Sequence, residues 1–171
     1  MLLRKRIYGI ENELGVVLQN ADGSWKEVPS GYTKRQYYEK DNTSVYAYIE
    51  PMRAWHTNGA CSYVDTGEHP EHATPECFLV TDAVLYAKAG EFLMSGIFSR
   101  PFPDGSRIVL FKNNLGCNED GTVNVNGYFG CHENYLVHGL DLADQTMMRE
   151  CIPFLITRQI MAGSGWWPPD G

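Results

Sequence analysis

The sequence lacks the marks of several large protein classes. Its five cysteines (Cys61, Cys77, Cys117, Cys131 and Cys151) are odd in number and contain no CxxC pair, so they suggest neither a disulfide framework nor a zinc ribbon. Reduced cytoplasmic thiols are the expected state. No apolar run reaches the roughly 18 residues of a membrane span, and the basic start has no apolar stretch of the kind a secretory signal carries. Positive charge is scarce: 14 Lys and Arg against 21 Asp and Glu give a net charge of -7, which argues against a non-specific nucleic-acid binder. Arg4-Lys5-Arg6 reads as a solvated end. There is no internal repeat. The 171 residues suffice for one domain with a real core.

Oxygen ligands, by contrast, are concentrated. Asn58–Cys77 reads NGACSYVDTGEHPEHATPEC and packs Tyr63, Asp65, Glu68, His69, Glu71, His72, Thr74 and Glu76 into fourteen positions. Strand alternation over Ser62–Thr66 places Tyr63 and Asp65 on one face and Val64 on the other. Gly67 and Pro70 are expected to break that strand and leave Glu71 and His72 on an irregular turn. Hard carboxylate oxygens dominate, which favours magnesium over zinc. The HPEH pair has zinc-like spacing, yet a proline in a turn reads more simply as backbone geometry.

Lys5–Val17 alternates in the same way, with Ile7, Gly9, Glu11 and Glu13 on one face and Tyr8, Ile10, Asn12 and Leu14 on the other. Two glutamates on one strand face repel unless a cation lies between them; a solvent-exposed strand face is the competing reading. Turns are expected at Asn20–Ser24 and Pro29–Gly31, a short helix near Lys34–Lys40 and a strand near Ser44–Glu50. Thr81 is placed to cap a helix running to about Gly96, with an apolar stripe of Leu85, Ala89, Phe92 and Leu93 against a sheet. Arg107–Asn113 reads as a strand, Asn114–Asn126 as a hairpin-type connection, and Gly127–Val137 as the returning strand, with His132 and Asn134 alternating against Glu133 and Tyr135. Leu140–Glu150 and Pro153–Ala162 suggest two helical pieces, the second capped by Gly163. Trp166 and Trp167, next to the terminus, look cut off from packing partners. Strands and helices that do not strictly alternate indicate an α+β fold with a mainly antiparallel sheet.

Four segments in this order, IYGIENELGV, NGACSYVDTGEHPEHATPEC, LFKNN followed by GCHENYLV, and IPFLITRQIMAGSG, resemble the Pup ligase and depupylase family (PafA and Dop), carboxylate-amine ligases related to glutamine synthetase. The resemblance implies a glutamine synthetase-like α+β fold: a curved, mainly antiparallel sheet with helices on one face. The chain then corresponds to the N-terminal part of the catalytic domain, without the C-terminal half. The resemblance also implies ATP and magnesium as cofactors, with Pup, a ubiquitin-like modifier, and lysine-bearing proteins as partners. In such ligases the γ-carboxylate of Pup's C-terminal glutamate is phosphorylated and then attacked by a substrate lysine. By the same resemblance Glu11, Tyr63 and Glu71 are magnesium ligands, Asp65 is the general base and Thr74 an ATP contact; Glu13, Glu76, His132 and Glu133 lie in matching motifs. The chain departs from the family where NGARLY becomes NGACSY, so that Cys61 stands in place of an arginine that contacts ATP. The loop Leu115–Asn126 is also longer than usual. Ligase is favoured over depupylase by GCHENY, by the TRQ helix and by the short spacing from Gly15 to Asn58. A Dop-like amidase and a catalytically inactive binding relative are the other readings.

Overall fold

The computed structural model describes residues 7–28, 46–50, 53–98, 101–112, 115–118, 123–136 and 145–162. The expected turn at Pro29–Gly31, the helix near Lys34–Lys40 and the Gly163 cap lie outside them.

Eleven strands and two helices are formed by the described residues. β1 (Ile7–Glu13) lies between β11 (Cys131–Leu136) and β7 (Pro70–Ala73) in a six-stranded sheet of order β11-β1-β7-β6-β5-β4, where β6 is Cys61–Val64, β5 Arg53–His56 and β4 Tyr46–Glu50. Every neighbouring pair is antiparallel. Directly after β1, Leu14 donates its N–H to the carbonyl of Pro70 at 2.9 Å, and the chain passes into a second, three-stranded sheet of order β3-β2-β8. Here β2 is Gly15–Gln19, β3 Trp25–Lys26 and β8 Arg107–Phe111. Glycine is required at position 15, since a Cβ there would stand 2.5 Å from the Phe111 ring and 2.8 Å from that of Phe129. The Asn20–Ser24 turn joins β2 to β3, with Asp22 accepting from the Ser24 N–H and hydroxyl.

Strand alternation gives the main sheet two different faces. One carries Glu11, Glu13, Tyr63 and Glu71. The other carries Asn12, Ala54, Ser62, Val64 and His72, all buried. The second face is covered by α1 (Val80–Phe98), which buries Ala83, Ala87, Gly90, Met94 and Phe98. The hydrophobic core gathers Met94 and Phe98 with Leu14, Leu18, Ala54, Val64 and Ile108. Behind the acidic face, Ser62 Oγ lies 2.8 Å from both His56 Nε2 and His72 Nδ1. One hydroxyl proton satisfies one ring nitrogen, and the hydroxyl accepts from the other, so this buried trio is internally paired. Burial and the neighbouring His56 hold the His72 imidazole down at about 4, neutral at physiological pH.

Several expectations are corrected. Thr81 is inside α1, not its cap: the N–H groups of Asp82 and Ala83 already bond the Leu79 carbonyl. The buried stripe is Ala83, Ala87, Gly90, Met94 and Phe98, whereas Leu85 and Phe92 are 64% and 81% exposed. At Gly90 the helix approaches the sheet too closely for a side chain, because His72 occupies the space over it. Glu71 and His72 lie in a strand, not on an irregular turn. Pro70 is tolerated as the first residue of β7, where it pairs with Val64 and offers its carbonyl to Leu14. Asn114–Asn126 contributes strand to an antiparallel pair, β9 (Leu115–Cys117) with β10 (Val123–Tyr128), and the expected return strand is divided at Phe129-Gly130 between β10 and β11. The two expected C-terminal pieces form one helix, α2 (Gln145–Ala162), with Pro153 inside it.

A Cβ at position 90 would stand 2.1 Å from His72 Cδ2. Gly90→Ala gains about 1 kcal/mol of helix propensity but forces an overpacked contact costing about 1–3 kcal/mol or more. We expect the substitution to lower the thermal midpoint; an unchanged or raised midpoint in a melting experiment would contradict this packing.

Candidate metal and nucleotide site

Register alone brings most of the site together. Glu11 lies opposite His132 on one side and Ala73 on the other, and Glu13 lies opposite Glu71. Glu71 in turn faces Tyr63, and Tyr63 faces Arg53. Five strands thus supply one continuous polar patch. Glu11 Oε2 is 3.4 Å from His132 Nδ1, and Glu11 Oε1 accepts from the Asn134 amide at 3.2 Å. Glu13 Oε2 accepts from the Gly130 N–H at 2.6 Å. Asn134 was not singled out from the sequence, although it shares the parity of His132.

Asp65 follows directly on β6, in the tight connection to β7. Its Oδ1 accepts from the His69 N–H at 2.7 Å, its own N–H bonds the His69 carbonyl at 3.0 Å, and Glu68 takes a positive φ of 66° to close the turn. The His69 ring is 3.4 Å from Asp65 Oδ2 and 3.8 Å from Glu13 Oε2. His69 therefore ties Asp65 to the acidic face. His72, three residues on, points to the opposite side of the sheet into the Ser62 trio, so the HPEH pair does not converge on one ion.

Among the described residues, two groups each bring their donor atoms within 4.8 Å of one another: Glu11, Glu71 and His132, and Glu13, Asp65 and His69. Glu71 is 4% exposed. Its burial, with the charges of Glu13, Glu11 and Asp65, pushes its carboxyl up to about 7, although a hydrogen bond with Tyr63 works the other way. Burial and the Glu71 hydrogen bond push the Tyr63 phenol well up, so it remains protonated and offers a neutral oxygen. This donor set fits a hard dication: carboxylate oxygens dominate it, and a cation would offset the burial and the like charges that raise the Glu71 carboxyl.

Beside the carboxylates opens a cavity of about 470 Å³, bounded by Glu11, Arg53, Trp55, Cys61, Tyr63 and Thr74, among others. Glu76 also borders it, and so do Asn58 and Gly59 of the β5–β6 turn. Thr74 is held against β1 by two bonds, its N–H to the Ile10 carbonyl at 2.9 Å and the Ile10 N–H to its Oγ1 at 3.0 Å. Glu133 is not brought to the site. It pairs with Ile10 in the register opposite to that of His132, and its carboxylate is bound by Tyr135 and by Arg158 of α2. Arg158 places α2 on the same side of the sheet as α1.

In the metal-free chain, Glu71 binds its proton more tightly folded than unfolded, where carboxyls titrate near 4.5. Folded wild type therefore loses stability as pH rises from about 4.5 through about 7. His72 works in the opposite direction, losing its contribution as pH falls from 6.5 towards 4, so comparison with a variant isolates Glu71. Glu71→Gln is expected to stabilise the metal-free protein at pH 8 by an amount on the order of 1–2 kcal/mol, with the difference vanishing below pH 4.5. Urea unfolding at several pH values checks this; a Glu71→Gln variant less stable at pH 8 would contradict it.

The chain is similar to a set of known proteins. The family described as Pup-ligase protein matches residues 6–169. The Pup--protein ligase of Corynebacterium diphtheriae is 32% identical over 94% of this chain and 32% of its own length, and that of Nocardioides sp. is 38% identical over 94% and 34%. A solved structure, the complex between prokaryotic ubiquitin-like protein Pup and its ligase PafA, superposes with a TM-score of 0.67 at 29% identity, covering 91% of this chain and 30% of the solved one. The chain thus spans about a third of the length of the relatives it matches. Its α+β architecture is the glutamine synthetase-like fold of that ligase, no helix among the described residues is long and apolar enough to cross a membrane, and the chain belongs to the Pup-ligase family.

Proposed function

We propose that this chain carries the ATP- and magnesium-binding floor of a cytoplasmic Pup ligase, corresponding to the N-terminal part of the catalytic domain. The observation that supports the reading most is the buried Glu71 carboxyl, raised by burial and by Glu13, Glu11 and Asp65, next to a cavity that Glu11 and Tyr63 line. Glu11 and Glu71 would hold magnesium, with Tyr63 as a neutral oxygen and His132 and Glu13 at the margin. Bound magnesium would supply charge neutralisation for phosphoryl oxygens. Thr74 and the cavity wall would receive the nucleotide.

The chain's own residues then divide two tasks. The acidic face accepts the γ-carboxylate of Pup's C-terminal glutamate alongside the triphosphate only while its own charges are compensated, and phosphoryl transfer gives a glutamyl phosphate and ADP. A substrate lysine must lose a proton to attack that acyl phosphate, with an isopeptide bond and free phosphate as products. Asp65 would take the proton, with one of its carboxylate oxygens fixed by the His69 N–H. A second reading, binding without turnover, is favoured by Cys61, a buried thiol in the wall of the cavity.

Calorimetry with magnesium-ATP, followed by an assay of Pup conjugation to a lysine-bearing acceptor, tests the proposal. Asp65→Asn should leave nucleotide affinity within a few-fold of wild type and reduce conjugation by about 10²-fold or more. Nucleotide binding with no conjugation by wild type would favour the binding reading; conjugation undiminished in Asp65→Asn would overturn the assignment of the base.

A further inference from the structure

The cavity beside the acidic face has walls of one predominant charge. Among the described lining residues Glu11 and Glu76 are acidic and Arg53 is the one cation. The sheet register fixes where that cation stands. Arg53 pairs with Tyr63, and Tyr63 with Glu71, so the arginine lies on the same face as the carboxylates and two strands away from Glu71. Its guanidinium carbon is 4.8 Å from the centre of the Tyr63 ring. Stacking of this kind orients the planar fork without consuming its edge N–H donors. One step further along the same pair of strands, Trp55 lies opposite Cys61, and both line the cavity. The buried Cys61 thiol contributes no positive charge there.

We propose that Arg53 is the phosphate-reading residue of this cavity, holding the polyphosphate tail of the nucleotide at the end next to the carboxylates. The proposal rests on the nucleotide reading above. The chemistry is that of a bidentate guanidinium–phosphate pair, which a dication at the acidic face complements from the other side. Cys61 and Arg53 are diagonal neighbours on adjacent strands and face the same space, so the positive charge comes from β5 instead of β6.

Calorimetric titration of the 171-residue chain with magnesium-ATP and with magnesium tripolyphosphate tests the assignment. Arg53→Ala is expected to weaken both ligands by about 10- to 100-fold, with a much smaller effect on adenosine. Arg53→Lys should recover part of the loss, and adding Cys61→Arg to Arg53→Ala should return more of it, because the new cation enters the same space. Arg53 is exposed, so its substitution is expected to leave the thermal midpoint near that of wild type. Arg53→Gln serves if the alanine variant does not fold. Wild-type binding of both polyphosphates with equal affinity in Arg53→Ala or Arg53→Gln would overturn the inference alone. Failure of the wild-type chain to bind either would overturn it together with the nucleotide reading.

Discussion

Four carboxylates held on or beside one face of a hydrogen-bonded sheet repel one another, and the backbone gives them little freedom to separate. Glu11 and Glu13 are two residues apart on β1, Glu71 is the direct partner of Glu13, and Asp65 is pinned by the His69 N–H. In the most buried of them, Glu71, burial first and then the neighbouring charges push the carboxyl up to about 7. Other features of the chain serve this arrangement. Tyr63 bonds the Glu71 carboxyl, Asn134 and His132 meet Glu11, and the Gly130 N–H and His69 meet Glu13. Such a site is costly for the metal-free protein and favourable once a dication enters.

The reverse face explains how the fold tolerates that cost. Ser62 and His72 alternate with Tyr63 and Glu71 on the same strands, and they form a paired polar trio with His56 beneath α1. Gly90 allows the helix to approach closely enough to cover it. Rigidity behind the acidic face holds the carboxylates in place when their mutual repulsion would splay them. Binding chemistry on one face and packing on the other are linked through the period-two alternation of the strands.

That alternation is also why much of the site was legible in the sequence. Parity placed Glu11 with Glu13, and His132 opposite in sense to Glu133. Local rules failed where tertiary packing decided. Pro70 suggested a turn because a proline usually ends a strand, yet at the first position of β7 its missing N–H removes no required ladder bond. In α1 the run Leu85, Ala89, Phe92 and Leu93 suggested the buried stripe, but the face turned to the sheet is Ala83, Ala87, Gly90, Met94 and Phe98, with His72 filling the space over Gly90. Pro153 suggested two helices where one continues through it. Cross-strand neighbours such as Tyr63 with Arg53 depend on register, which no single segment encodes.

The face bearing Glu11, Glu71 and His132 is the proposed dication site, which a nucleotide would complete. Its most direct test is electron paramagnetic resonance of manganese(II), a spectroscopic stand-in for magnesium, titrated at pH 7.5 with the wild-type chain and with Glu11→Gln/Glu71→Gln, each with and without ATP. The account predicts loss of the free-manganese signal at about one ion per wild-type chain in the presence of ATP, and substantially weaker capture by the double variant than by wild type. Equal capture by both proteins, or none by wild type with ATP beyond what ATP alone binds, would contradict it.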